Sequence, residues 1–92
     1  MAIVHLTRGP HRAREGHPWV FANEIESIRG DFAPGDLVTV VDHRGRFVGR
    51  GFINPASLIR VRLVTHRDEQ VDDDFWVARL RAAWELRRPF RE

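Results

Sequence analysis

The side chains with the greatest chemical reach in this sequence are its arginines. All 15 basic residues are Arg and none is Lys. A guanidinium is planar, always charged, and able to place two parallel N–H bonds on a phosphate or carboxylate. One group, Arg8, Arg12 and Arg14, lies in or beside Pro10-His11-Arg12-Ala13-Arg14-Glu15-Gly16, which has no apolar periodicity and reads as a basic surface loop. A second group, Arg46, Arg50, Arg60 and Arg62, sits at even positions among short apolar runs. With His17 these residues form a set suited to phosphate contacts, which fix position without reading base sequence. The competing reading is a solvated face neutralised by Asp36, Asp42 or the Asp72-Asp73-Asp74 cluster.

Other chemistries find less support. His5, His11 and His17 recur every six residues, a spacing that matches no metal-ligand pattern, and no cysteine completes a site. Without cysteine there is no disulfide framework, no thiolate and no sulfur nucleophile, which fits a cytoplasmic protein. Ser27 and Ser57 are the only serines, and Ser57 falls in an Asn-Pro-Ala-Ser turn, where its role is capping rather than catalysis. The Asp72 to Asp74 run is explained by the start of a helix before any Mg²⁺ site is needed. Trp19 and Phe21 could stack on bases, but in so small a domain large rings flanking Val20 are expected in the core. His17, just before Pro18, is expected to act chiefly through a bond to a backbone carbonyl. No apolar run approaches the ~20 residues that cross a bilayer, so no membrane partner is expected.

These residues must be positioned by one small domain, since 92 residues can bury only one modest core. Charge divides it: Met1–Arg67 carries 10 Arg against six acids, a net +4, and Asp68–Glu92 five Arg against seven acids, a net −2. Strands are predicted over residues 3–7 and 25–29, and three more between Gly35 and Arg62, separated by turn residues. Pro18 to Phe21 fits either a helical turn or an extended segment. In the central strands Leu37, Thr39, Val41, Phe47, Gly49, Gly51, Ile53, Ile59, Val61 and Leu63 all have odd numbers. Period-two alternation then predicts an odd inner face and an even outer face. A three-residue His43-Arg44-Gly45 loop sets Asp42 opposite Arg46 and Val40 opposite Val48. Across the second hairpin the same parity sets Arg50 opposite Arg60 or Arg62, a like-charge pair that asks for an anion between them. Inward Gly49 and Gly51 mark sharp bending or a close backbone.

Residues 71–92 change character. Asp72 to Asp74 supply an N-cap and acids for the positive end of a helix dipole, and Trp76, Leu80 and Trp84 recur at helical spacing before Pro89. The stripe is expected to pack on the sheet over Val38, Val48 or Phe52. The predicted class is mainly β with two helices, an α+β small barrel of residues 1–70 followed by a helix within 71–92.

Gly16-His17-Pro18-Trp19-Val20-Phe21, Gly35-Asp36-Leu37-Val38, Gly45 to Pro55 and Ile59-Arg60-Val61-Arg62, in this order, resemble the N-terminal PUA domain of bacterial S-adenosylmethionine-dependent 23S ribosomal RNA cytosine-5 methyltransferases. The resemblance runs from Leu6 into the terminal helix. It implies a compact pseudo-barrel with a short helix after the first strand, a non-catalytic module that holds structured ribosomal RNA. In such enzymes the chain continues into a domain with a glycine-rich cofactor loop and a cysteine nucleophile, where S-adenosylmethionine would bind. Neither feature occurs in these 92 residues. No cofactor is therefore expected here, and the terminal helix reads as the beginning of a linker. The alternative is an SH3-like interaction module that docks a partner, or forms a homodimer, through Trp76, Trp84 and Phe90.

Overall fold

A computed structural model describes residues 1–87 of the chain. Six strands, β1 (Ile3–Leu6), β2 (Trp19–Phe21), β3 (Ile25–Arg29), β4 (Leu37–Val41), β5 (Phe47–Ile53) and β6 (Ile59–Thr65), share one sheet in the order β2-β6-β5-β4-β1-β3. Helix α1 (Asp73–Arg87) follows. Neighbours are antiparallel except β1 beside β4, and each antiparallel ladder contains a register shift. Such shifts add local twist, and the sheet curls into a half-barrel around one core. Val4, Leu6, Val20, Val38, Val40, Ile53 and Val61 are fully buried there.

The turns follow from their residues. Pro34-Gly35 makes a tight turn in which Asp36 N–H donates to the Ala33 carbonyl at 3.0 Å and Gly35 takes φ 88°, a conformation glycine adopts without penalty. The His43-Arg44-Gly45 loop sets Asp42 opposite Arg46 as expected, Asp42 N–H donating to Arg46 O at 2.9 Å with Gly45 at φ 81°, but Val40 faces Gly49 and not the expected Val48.

The parity expectation holds in β6 and the end of β5 but not in β4, where Val38 and Val40 face inward. The cause is a bulge. Val41 pairs with Phe47 but Val40 pairs with Gly49, so Val48 is an extra residue on β5 and both Val48 and Gly49 are buried. One inserted residue exchanges the faces of everything beyond it. In the β5–β6 ladder Phe52 pairs with Arg62, a register that would set Arg50 against Val64, and a shift between Arg50 and Gly51 moves it on to Thr65. The expected opposition of Arg50 to Arg60 or Arg62 is therefore absent, and with it the anion that this opposition implied.

Gly49 and Gly51 lie where β6 comes very close. A Cβ on Gly51 would stand 2.1 Å from the Arg62 carbonyl oxygen, and one on Gly49 2.7 Å from that of Thr65. Trp19 to Phe21 is extended as the edge strand β2, and the basic loop proves to be a 3-10 turn, Arg12–Glu15, that buries Ala13. A further 3-10 turn, Ala22–Glu24, links β2 to β3.

Asp72 caps α1, its carboxylate accepting from Phe75 N–H at 3.0 Å. The first two turns of the helix dock on the sheet. Phe75 is buried, Trp76 stacks on Phe52, and Arg79 lies over the Phe75 ring while donating to the Val64 carbonyl. Val38 and Val48 belong to the core and do not receive the stripe; Val77 and Leu80 stay exposed at 50% and 71%. Pro89 and Phe90 lie outside the described residues.

Candidate nucleic-acid interface

The eight residues singled out from the sequence separate into three places. Arg8, Arg12, Arg14 and Arg46 belong to the end of the sheet where the first 3-10 turn meets the β4–β5 hairpin. Asp42 organises this end. The residue is 3% exposed, and Oδ1 accepts from Arg44 N–H at 2.9 Å and Arg46 N–H at 2.8 Å. Arg14 donates to Oδ2, and Arg46 Nε lies 3.7 Å from it. Burial pushes this carboxyl up, but the two backbone N–H donors and the guanidinium groups of Arg14 and Arg46 outweigh it and hold the group below its usual value. Arg14 and Arg46 are thus committed to a buried carboxylate, whereas Arg8 and Arg44 border a surface cavity with Gly9 and His43.

Arg50 is committed elsewhere. Nε donates to Thr39 Oγ1 at 3.1 Å, one terminal nitrogen to the Glu69 carbonyl at 2.6 Å, and the other pairs with Asp68 at 2.9 Å. The guanidinium also lies 5.2 Å from the Phe47 ring centre. It fastens the segment after β6 onto the sheet as a structural clamp.

Arg60, Arg62 and His17 share the remaining place, the outer face of β6 and its neighbour β2. Arg60 donates Nε–H to the Ser57 carbonyl at 3.0 Å. Among the described residues neither Arg60 nor Arg62 has a carboxylate within ion-pair distance, and the same holds for Arg8 and Arg12. The Arg62 guanidinium lies 5.9 Å from the Trp19 ring centre, within cation–π range. His17 bonds the backbone with the opposite polarity from that expected: Nδ1 accepts from Trp19 N–H at 3.2 Å, and its ring meets the Trp19 ring edge-to-face at 5.5 Å.

Trp19 and Phe21 are not core residues, in contrast to the expectation from size. Edge strand β2 turns only Val20 inward and leaves Trp19 and Phe21 40% and 37% exposed. Because residues paired across a ladder share a face, the pairs Trp19–Arg62 and Arg62–Phe52 place these three in one row. Trp76 of α1 extends the row by stacking on Phe52 at 6.4 Å and 10°. The even outer set contained Phe52, Arg60 and Arg62, so part of the row was legible. The contributions of β2 and α1 depend on tertiary neighbours.

His11 anchors this edge from behind. Its ring is buried, Nε2 donating to the Thr7 carbonyl at 2.8 Å and Nδ1 pairing with Glu24 Oε2 at 2.9 Å. Oε1 of the same carboxylate accepts from Phe21 N–H at 2.9 Å. Burial lowers the imidazole pKa, but the Thr7 carbonyl and the Glu24 carboxylate overcome it and leave the group above its ordinary value.

Among the described residues no group of three or more His, Cys, Asp or Glu could hold a metal ion, and no helix is long and apolar enough to cross a membrane.

A family model described as a PUA-like domain matches residues 6–66. Ribosomal RNA large subunit methyltransferase I of Shewanella denitrificans is 44% identical over 87 residues, covering 90% of this chain and 22% of the relative. The proteins of that name from Tolumonas auensis and Alteromonas mediterranea are 43% and 42% identical, covering 73% and 82% of this chain and 17% and 19% of the relatives. The chain spans about a fifth of the length of the curated relatives it matches. With the family match extending from the end of β1 through β6 over a curled sheet of the expected class, the chain belongs to the PUA-like domain family.

Proposed function

We propose that this chain is the RNA-holding, non-catalytic module of an enzyme that methylates large-subunit ribosomal RNA. The observation that carries the reading is the outer face of β6, where Arg60 and Arg62 stand without carboxylate partners among the described residues, while Arg14 and Arg46 share Asp42 and Arg50 pairs with Asp68. Cations left unneutralised beside exposed rings suit an anionic polymer better than a solvated ion-pair lattice. The names of the relatives supply the RNA class. In this reading residues 1–70 hold RNA, with Arg8 and Arg12 as outlying phosphate contacts, and 71–92 lead toward the rest of the enzyme, where S-adenosylmethionine would bind.

The test is binding to a ribosomal RNA fragment between about 50 and 200 mM salt. An Arg60→Gln, Arg62→Gln double variant weakens binding and flattens the log–log salt slope by roughly 1.4–1.8, as for two lost phosphate contacts. Arg50→Gln lowers stability and leaves the slope unchanged. Absence of binding at low salt, or a slope indifferent to the double variant, refutes the reading.

A second reading, self-association through α1, is favoured by the exposure of Val77 and Leu80. Sedimentation of Leu80→Glu against the unaltered chain decides it: a monomer in both excludes the dimer.

A further inference from the structure

We infer that the row formed by Phe21, Trp19, Arg62, Phe52 and Trp76 is a stacking platform for unpaired nucleotides, so that the module's RNA partner is a single-stranded segment rather than a helix. This rests on the RNA reading above and goes beyond it by naming the substrate class.

Four large rings of one small protein stay between 37% and 40% exposed along a single row. Trp19 contacts His17 and Phe21 at interplanar angles of 84° and 85°. The rings of β2 are thus braced edge-to-face and not stacked flat on each other. Their backbone is held rigidly, since Glu24 ties Phe21 N–H to buried His11 and Leu63 N–H donates to the Pro18 carbonyl at 2.6 Å. A fixed, half-exposed aromatic row loses little entropy on binding, as a recognition surface requires.

The charge of the row decides its occupant. Arg62 occupies its centre, with aromatic partners in both ladders, and Arg60 flanks it, while no acidic side chain belongs to the row. An apolar protein surface would bury Arg62 without a counter-charge. A nucleotide strand instead offers flat rings to the aromatics and phosphate to the guanidinium groups in the same repeat. A-form duplexes keep their base faces stacked inside, so only unpaired bases can use such a row.

The experiment compares the 92-residue chain binding an oligoribonucleotide of about ten unpaired nucleotides with a duplex of equal length. The expected result is tighter binding of the single strand with quenching of tryptophan fluorescence. Trp19→Leu keeps the apolar bulk but removes the ring, and should weaken single-strand binding about tenfold with the salt slope unchanged and duplex binding unaffected. Phe21→Leu provides the same test if Trp19→Leu fails to fold in a thermal melt. Equal affinity for both RNAs with no effect of either variant overturns the platform and leaves the RNA reading standing. Binding of neither RNA at low salt overturns the RNA reading and the platform together. Self-association abolished by Trp19→Leu, with RNA affinity unchanged, assigns the row to a protein contact and overturns the inference.

Discussion

Replacing Asp42 by alanine should destabilise the domain by about 3–5 kcal/mol, the range for removing one partner from a buried charged cluster. The carboxylate closes the β4–β5 hairpin through the N–H groups of Arg44 and Arg46, each such bond to a charged acceptor contributing about 1.5–3 kcal/mol. The guanidinium partners add less, because the Arg14 and Arg46 side chains are 43% and 58% exposed and water recovers much of their loss. Asp42→Asn retains an acceptor for the turn and should cost about half as much. In a domain of this size 1 kcal/mol moves Tm by about 4–8 °C, so the alanine variant should melt at least about 12 °C lower. The pH dependence has a definite sign. Since the folded group titrates below its ordinary value, its contribution is present above the unfolded pKa of about 3.9 and is lost as pH falls through the folded one. Urea unfolding of the unaltered chain and Asp42→Asn from pH 7 downward should therefore show the stability gap closing in acid. A gap independent of pH, or an alanine variant within about 1 kcal/mol of the parent, a typical surface-substitution outcome, refutes this account of the hairpin.

Two further outcomes follow from the same packing. Gly51→Ala should destabilise by about 3 kcal/mol, the upper end for overpacking, because the new methyl meets the β6 backbone at Arg62 and Leu63; Gly49→Ala, which meets one carbonyl and the flexible end of Leu63, should cost less in the same urea titration. For His11 the sign is opposite to that of Asp42: its raised folded pKa makes its contribution full below the ordinary imidazole value of about 6.5 and lost as pH rises through the folded one. The stability difference between the unaltered chain and His11→Asn should accordingly be larger at acidic than at alkaline pH.

Local rules made a good part of this molecule legible from its sequence. The His43-Arg44-Gly45 turn, the Pro34-Gly35 turn and the Asp72 cap each depend on a few neighbouring residues, and each occurs as the residue types demand. The motif order from Gly16 to Arg62 also carried the resemblance to the family that residues 6–66 match. What tertiary structure alone decided is which arginines are left for a ligand. The β5–β6 register pairs Phe52 with Arg62 and leaves Arg50 beside Thr65, where it reaches Asp68 and Glu69, and bulges at Val48 and Val64 shift the ladders in ways no alternation pattern contains. The burial of Asp42 between Arg14 and Arg46 joins residues 28 positions apart. The aromatic row likewise exists only because β2 pairs with β6 at the sheet edge and α1 lays Trp76 on Phe52. Residue type set the available chemistry, whereas register and edge position, which are long-range properties of the sheet, determined where that chemistry meets solvent.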